Sequence, residues 1–129
     1  MIVKTIDEIK GTDREVFAEN GNWVSRRLLL KKDGMGFSFH ETIIFAGTET
    51  VIEYKNHLEA VFCVEGDGEV ELIKTGEKFP IRPGTMYALN EHDRHYLRGG
   101  GQDMRLVCVF NPPVTGQEVH LPDGSYALE

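Results

Sequence analysis

The sequence His-Leu-Glu-Ala-Val-Phe-Cys-Val-Glu-Gly-Asp-Gly at residues 57–68 decides the fold of this chain. Its apolar centre is short, contains β-branched and aromatic residues, and ends in a turn with two glycines, as in a strand that enters a hairpin. Successive side chains of a strand point to opposite faces, so His57 and Glu59 share a face, about 7 Å apart. A carboxylate in an apolar sheet costs several kcal/mol unless it is paired or binds a cation, and Glu59 therefore predicts a metal site.

Short strands of the same kind recur on both sides of this stretch. Apolar and polar side chains alternate in runs that follow one another at intervals of roughly 8 to 12 residues, with glycine-rich turns between them. Residues 12–22 are polar and predict a loop, and Thr5-Ile6-Asp7-Glu8 has the spacing of a capping box and predicts the one helical turn. We therefore predict an all-β antiparallel sandwich or barrel, formed as a single domain by residues 1–129.

The segment at residues 36–45 predicts a strand with two different faces. One parity carries four large apolar side chains, whereas the other mixes polar and apolar side chains. The first comprises Phe37, Phe39, Ile43 and Phe45, and the second comprises Ser38, His40, Thr42 and Ile44. The pattern does not decide which of the two faces lies inside.

The composition limits the partners open to the chain. Its 14 lysines and arginines against 21 aspartates and glutamates give a formal charge of −7, without a basic block, which disfavours nucleic acid. No apolar run reaches the length of a membrane span, and charge appears too early at the N-terminus for a secretory signal. We expect a cytoplasmic protein without a membrane partner, in which Cys63 and Cys108 are buried thiols rather than a disulfide.

The chain resembles the cupin superfamily, and within it the ectoine synthase family, nearly from end to end. The cupin likeness lies in the spacing of Gly47, Glu59, Gly66, Gly76, Pro83-Gly84 and His95. The closer likeness lies in residues 34–40, 54–60, 82–89, 92–97 and 104–116. The histidines that usually precede the glutamate of cupins are absent near residues 52–55. The resemblance implies a single cupin barrel, a jelly-roll-like double-stranded β-helix, with a short helical turn at its N-terminus.

The resemblance also implies an activity and a cofactor. It implies a usually homodimeric hydro-lyase that closes N-γ-acetyl-L-2,4-diaminobutyrate into the osmoprotectant ectoine with loss of water, as part of a stress response. The implied ligands of its Fe²⁺ are Glu59, Tyr87 and His95. A carboxylate, a phenolate and an imidazole suit divalent iron and leave positions open for substrate, although zinc fits the same ligands.

The same resemblance places further residues around the substrate. The implied substrate-binding residues are Trp23, Arg27, Thr42, Tyr54, Cys108, Phe110, Glu118 and His120. Ring closure needs an acid and a base, and the candidates for these roles are His57, Tyr54, Glu118 and His120. The sequence does not order them.

The C-terminal segment follows the Pro112-Pro113 stop and lacks strand periodicity. We predict that residues 114–129 form a flap that closes over the barrel mouth and excludes water. Glu118 and His120 are its polar pair. On residue type alone these two side chains would be exposed charge.

Residue type alone gives simpler interpretations of other positions as well. Tyr87 would be a core tyrosine with a satisfied hydroxyl group. Cys108 and Phe110 also fit the inward apolar face of a strand, a face that in a barrel lines the pocket. His40 and His92 are interpreted as structural or solvated.

Two other functions stay open on the sequence. Open iron sites in small cupins also activate oxygen, so an iron-dependent dioxygenase is one alternative. A non-catalytic cupin that binds a small ligand is the other. The fold does not separate these functions, whereas oxygen consumption during turnover would identify the dioxygenase.

Overall fold

A computed structural model describes residues 1–116 of the chain. Two antiparallel sheets enclose one hydrophobic core, to which strands of both sheets contribute. In chain order the elements are α1 (Ile6–Ile9), β1 (Glu15–Phe17), β2 (Trp23–Leu29), a 3₁₀ turn (Lys31–Asp33), β3 (Ser38–Ile44), β4 (Glu49–Ile52), β5 (Leu58–Glu65), β6 (Gly68–Leu72), β7 (Lys78–Ile81), β8 (Met86–Leu89), β9 (His95–Gly99) and β10 (Met104–Asn111). The predicted all-β architecture is confirmed.

The strand order brings distant segments together. The larger sheet runs β1-β2-β3-β10-β5-β8, and the smaller sheet runs β4-β9-β6-β7. The strand that opens with Leu58-Glu59 therefore lies between β10 and β8, with β9 in the opposite sheet. The predicted helical turn is present, and the Thr5 hydroxyl caps it by accepting a hydrogen bond from the Glu8 amide at 3.2 Å. No helix within residues 1–116 is long and apolar enough to cross a membrane.

The more polar parity of β3 faces inward. Ser38, His40 and Ile44 are buried, whereas Phe39 and Ile43 on the opposite face are only partly buried. Inward side chains of neighbouring strands lie side by side at matching register positions. One such row runs Arg27, His40, Cys108, Val61 and Tyr87 across β2, β3, β10, β5 and β8. The barrel interior is therefore lined with chemically active side chains.

Strand β1 lies in the segment that the sequence predicted as a loop, and ion pairs explain its presence. Arg26 donates to the Glu15 carboxylate at 2.9 Å and to the Glu41 carboxylate at 2.8 Å, and Arg105 also donates to Glu41. These pairs join β1, β2, β3 and β10 on the outer face of the larger sheet. The prediction was wrong because this strand depends on charges that are distant in sequence rather than on its own apolar content.

A steric contact explains why position 66 of the cupin-like motif is a glycine. Its φ of +87° lies in the left-handed region, and a Cβ built there would lie 2.1 Å from the Asp103 carbonyl oxygen. Only glycine therefore permits this turn to pack against the start of β10. Strands β5 and β6 belong to different sheets, so this turn leads from one sheet to the other and does not close the hairpin that the sequence predicted.

Candidate metal and substrate site

A cavity lies between the two sheets. Its wall is mainly apolar with a few polar groups, as small-molecule pockets require. The lining residues are Trp23, Ser25, His40, Thr42, Ile44, Ile52, Tyr54, Glu59, Val61, Tyr87, Leu97, Leu106, Cys108 and Phe110.

Most of the predicted site residues meet at this cavity. Those in its wall are Trp23, Thr42, Tyr54, Glu59, Tyr87, Cys108 and Phe110. Arg27, His57 and His95 are buried but do not form part of the wall. Glu118 and His120 lie outside the residues that the structure describes.

His95 is oriented by the backbone. Its Nδ1 atom lies 2.8 Å from the Asp93 carbonyl oxygen. Because a carbonyl oxygen only accepts, Nδ1 carries the proton and Nε2 retains its lone pair. The Nε2 atom is buried and has no hydrogen-bond partner among residues 1–116. Burial lowers the pKa of His95, so the ring stays neutral and presents the tautomer that a metal ligand needs.

Glu59 and Tyr87 lie on adjacent strands with their side chains on the same inward face. Tyr87 pairs with Val61 and Glu59 pairs with Leu89, which makes Glu59 and Tyr87 diagonal neighbours. The Tyr87 and His95 rings come together from opposite sheets, with centroids 6.3 Å apart and planes at 68°. Side chains of β5, β8 and β9 thus converge at one end of the cavity.

Burial keeps both oxygen groups protonated in the absence of a cation. Burial raises the pKa of Glu59 to about 8, partly offset by a hydrogen bond with the Cys108 thiol. Burial, followed by the nearby Glu59 charge, raises the pKa of Tyr87 well above its usual value. A bound divalent cation would reverse both shifts because it stabilises the anionic forms.

The donor set fits a metal. One carboxyl group, one phenol and one bare imidazole nitrogen are ligands that divalent iron and zinc accept. No group of three or more His, Cys, Asp or Glu side chains in residues 1–116 is arranged to hold a metal. The predicted set would have to include the tyrosine, since it contains a single carboxylate and a single imidazole. We call Glu59, Tyr87 and His95 the metal end of the cavity.

Cys108 lies next to the metal end. Its thiol donates to the Thr42 hydroxyl oxygen, with Sγ 3.6 Å from that oxygen, and its closeness to Glu59 lowers the pKa of the Glu59 carboxyl group. Burial, followed by the Glu59 charge, raises the pKa of Cys108 well above its usual value. The thiol is therefore neutral, which suits a role in positioning Glu59 rather than one as a nucleophile.

Phe110 organises the middle of the cavity. The rings of Tyr54 and His57 meet it edge-on, with centroids 5.1 Å and 6.0 Å away, and the His40 ring lies tilted against it at 5.0 Å.

His92 is exposed, and its Nδ1 atom lies 2.7 Å from the Tyr54 carbonyl oxygen. His92 thus has the structural role that the sequence predicted, and it fixes the backbone that carries Tyr54.

The beginning of the predicted flap is bound to the barrel. Within residues 114–116, the Val114 amide donates to the Ser38 hydroxyl at 3.0 Å, and the Val114 carbonyl accepts from the Lys31 amide at 2.9 Å. The Arg27 guanidinium donates to the Gly116 carbonyl at 2.6 Å. These contacts place Gly116 beside β2.

Two polar wall residues were not identified as site residues from the sequence, Ser25 and His40. Both are buried, and they face each other across β2 and β3. The signal was present in the parity of β3, because His40 shares its face with Thr42, which the resemblance had placed at the substrate. A lone histidine on a mixed strand gave no reason to choose that face as the inner one.

This fold and this site define a class of protein, the cupins. A cupin domain of a transcriptional regulator from Enterobacter cloacae superposes with a TM-score of 0.60 at 16% identity, over 71% of this chain and 98% of that one. The polyketide cyclase RemF from Streptomyces resistomycificus superposes with a TM-score of 0.70 at 22% identity, over 96% and 89%. At these identities the likeness establishes the fold alone.

Closer relatives identify the family. The profile of the ectoine synthase family matches residues 1–129. L-ectoine synthases from Desulfatibacillum aliphaticivorans and Sporosarcina pasteurii are 64% and 66% identical over 128 residues, covering 99% of this chain and 98% and 94% of theirs. The crystal structure of ectoine synthase from P. lautus is 59% identical, with a TM-score of 0.84 over 90% of this chain and 81% of that one. The chain belongs to the ectoine synthase family.

Proposed function

We propose that this chain is a metal-dependent cyclodehydratase that converts N-γ-acetyl-L-2,4-diaminobutyrate into ectoine and water. Membership of the ectoine synthase family supports the hydro-lyase activity. The observation that carries the metal dependence is the buried Nε2 lone pair of His95, on a ring that packs against Tyr87. Iron is the proposed metal, because all three donor groups suit it. Zinc also suits them, so the activities with Fe²⁺ and with Zn²⁺ are to be compared.

The reaction joins two ends of one flexible molecule. A bond forms between the α-amine nitrogen and the acetamide carbonyl carbon, and the carbonyl oxygen leaves as water. Starting from the ammonium form, two protons move from the amine nitrogen to that oxygen. A divalent metal held by Glu59, Tyr87 and His95 would supply Lewis-acid polarisation of the carbonyl group.

Side chains of the cavity wall would enclose the substrate. Trp23, Tyr54 and Phe110 form an apolar wall that holds the substrate folded, so that amine and carbonyl approach each other. The same wall excludes bulk water, which favours a reaction that expels water. The two proton transfers need an acid and a base within reach of the amine and the departing oxygen.

Four residues are proposed for the proton transfers. Tyr54 lines the cavity, and His57 is buried against Phe110 on the side of the cavity wall. Glu118 and His120 are the other two, and they lie beyond the described residues. Single substitutions of each, with pH profiles of kcat, would order them.

Metal removal tests this function. We expect chelation to abolish ectoine formation, measured by chromatography, while the circular dichroism spectrum is unchanged, because the ligands decorate an existing core. Anaerobic addition of Fe²⁺ should restore turnover, and Zn²⁺ is added in parallel. Full turnover by metal-free protein would refute the metal dependence. An oxygen electrode serves as the control, since uptake matched to turnover would indicate a dioxygenase, and binding without product would indicate a ligand-binding cupin.

We also propose a cytoplasmic homodimer. Cys63 and Cys108 are both free and buried, which suits a reducing compartment. The outer face of β5 and β8 carries exposed apolar side chains, which we call the outer apolar patch: Leu58, Phe62, Val64 and Met86. Phe62 and Met86 are 46% and 59% exposed and pair across the two strands. A contiguous exposed apolar patch on a sheet face supports an interface between subunits.

A further inference from the structure

His40 is a buried histidine for which the proposed reaction has no role so far. Its side chain is 1% exposed, and it lines the cavity from β3. The Nδ1 atom lies 3.3 Å from the Ser25 hydroxyl oxygen, while Nε2 is buried and has no hydrogen-bond partner within residues 1–116. A buried polar atom without a partner, on a side chain of the cavity wall, points to a ligand group.

The hydrogen bonds around Ser25 indicate which nitrogen of His40 carries the proton. The Arg27 Nε–H group can only donate, and it lies 3.2 Å from the Ser25 oxygen. The Ser25 oxygen therefore accepts from Arg27. Among the described residues the only other hydrogen-bond contact of the Ser25 hydroxyl group is Nδ1 of His40, so we assign its hydrogen to that nitrogen. With Nδ1 as an acceptor, the proton of the neutral ring resides on Nε2.

The ring is neutral for three reasons. Burial lowers the pKa of His40 well below its usual value, and the nearby Arg27 and His57 lower it further. His40, which lines the cavity, therefore carries an unpaired N–H donor, whereas His95, which does not line it, carries a bare lone pair. The two buried rings thus have opposite hydrogen-bonding character.

His40 lies away from the metal end. It occupies the same inward row as Tyr87, with β10 and β5 between their strands. At about 4.8 Å per strand this separates the two backbones by about 14 Å along the sheet. An anionic ligand group is favoured beside the positive charge of Arg27, which adjoins His40 in the row.

We propose that His40, held by Ser25 and Arg27 in its Nε2–H form, donates a hydrogen bond to the α-carboxylate of the substrate. This inference rests on the proposed function, because it names the end of the substrate that this side of the cavity binds. The carboxylate at His40 leaves the acetamide at the other end of the molecule directed toward Glu59, Tyr87 and His95. His40 is thus a substrate-positioning residue.

Ligand binding tests the contact. We compare the substrate with N-acetyl-1,3-diaminopropane, which lacks the α-carboxylate, by calorimetry and, for the substrate, by kinetics. His40→Leu should weaken substrate binding and raise KM at least about tenfold, with a smaller change in kcat, and should leave binding of the analogue unchanged. His40→Asn keeps a side-chain N–H donor and should recover part of the loss. An equal loss for both ligands, or no loss for either, would overturn the proposal.

The tautomer is tested without turnover. In zinc-loaded protein with ¹⁵N-labelled histidine, NMR should show the Nε2–H form for His40, and Ser25→Ala should shift His40 toward a mixture. An Nδ1–H form in the unmodified protein would overturn the proposal. If the Nε2–H form is observed but the Fe²⁺-loaded enzyme forms no ectoine, the proposed function is refuted instead. Thermal melting of each variant identifies any that fail to fold.

Discussion

The Nδ1 atom of His95 lies 2.8 Å from the carbonyl oxygen of Asp93, and this contact leaves Nε2 as a bare, buried lone pair inside the barrel. The His95 ring is oriented by a backbone carbonyl group rather than by another side chain. Its orientation should therefore persist when side chains elsewhere in the cavity are changed. The first prediction follows from this relationship.

We predict that Glu59→Gln, Tyr87→Phe and His95→Gln each lower metal affinity at least about tenfold and reduce turnover in parallel. Each change removes one donor and roughly preserves shape, so thermal stability of the metal-free protein should change little. Metal content by mass spectrometry and chromatographic turnover are measured together. Tyr96→Phe on the same strand as His95 is the control and should keep both. Normal metal content in Tyr87→Phe would show that Tyr87 is a core residue and not a metal ligand.

A second prediction concerns the pH dependence of metal binding. Burial raises the pKa of Glu59 to about 8, so below that pH a proton competes with the metal for the carboxylate. Affinity should therefore rise with pH until about 8 and then level off. The hydrogen bond with Cys108 lowers the pKa of Glu59, so Cys108→Ala should shift this rise to higher pH, while Cys108→Ser should keep it near the original position. Titration of metal at several pH values checks this, and an identical profile for Cys108→Ala would contradict it.

Acid stability gives a third prediction, at Asp33. Hydrogen bonds from the Arg14 guanidinium at 3.1 Å and from the Leu30 amide at 2.9 Å lower the pKa of this carboxyl group. A lowered folded-state pKa contributes stability above the unfolded-state value of about 3.9, and this contribution is lost as pH falls through the folded-state pKa. Asp33→Asn should reduce the free energy of unfolding by about 1 kcal/mol at pH 7 and flatten its decline below pH 4.

Denaturant unfolding at a series of pH values measures this effect. Asp7→Asn is the matched control, because Asp7 is highly exposed and forms only a surface pair with Lys10 at 3.7 Å. Equal effects of the two substitutions would show that the Arg14 contact adds nothing specific.

A fourth prediction tests the outer apolar patch. Phe62→Asp should convert the proposed dimer to monomers in light scattering coupled to gel filtration, because it places a charge in the centre of the proposed interface. Phe79 is also 46% exposed but lies on β7 of the other sheet. Phe79→Asp should therefore leave the dimer intact. Dissociation by Phe79→Asp but not by Phe62→Asp would place the interface elsewhere.

The fifth prediction separates two truncations of the C-terminal segment. Deletion of residues 117–129 removes Glu118 and His120 but retains the Gly116 carbonyl that accepts from Arg27. We expect it to keep metal binding and thermal stability and to lose most of the cyclisation rate. Deletion of residues 114–129 also removes the Val114 contacts and should lower the melting temperature. Near-normal turnover after the shorter deletion would show that those thirteen positions, 117 to 129, do not contribute to catalysis.

Much of the candidate site was predictable from the sequence, for different reasons at different residues. Glu59 was identified by physics alone, as a carboxylate within an apolar strand. Tyr87 needed the family resemblance, because a tyrosine in a strand usually packs in a core. Ser25 and His40 were missed as site residues, since neither residue type nor spacing marks a polar group as inward-facing on a strand with two mixed faces.

By itself the sequence determined local structure: the strand and glycine turn within residues 57–68, the capped turn at Thr5, and the inward parity of Glu59. These features depend on neighbouring residues, since backbone sterics and the two-residue period of a strand act over a few positions. Only the tertiary structure decided which face of β3 lies inside, that β1 pairs with β2, and which ring nitrogen of His40 and of His95 carries the proton. Those features depend on contacts between residues far apart in sequence or on the orientation of a backbone carbonyl group. No local sequence pattern encodes them.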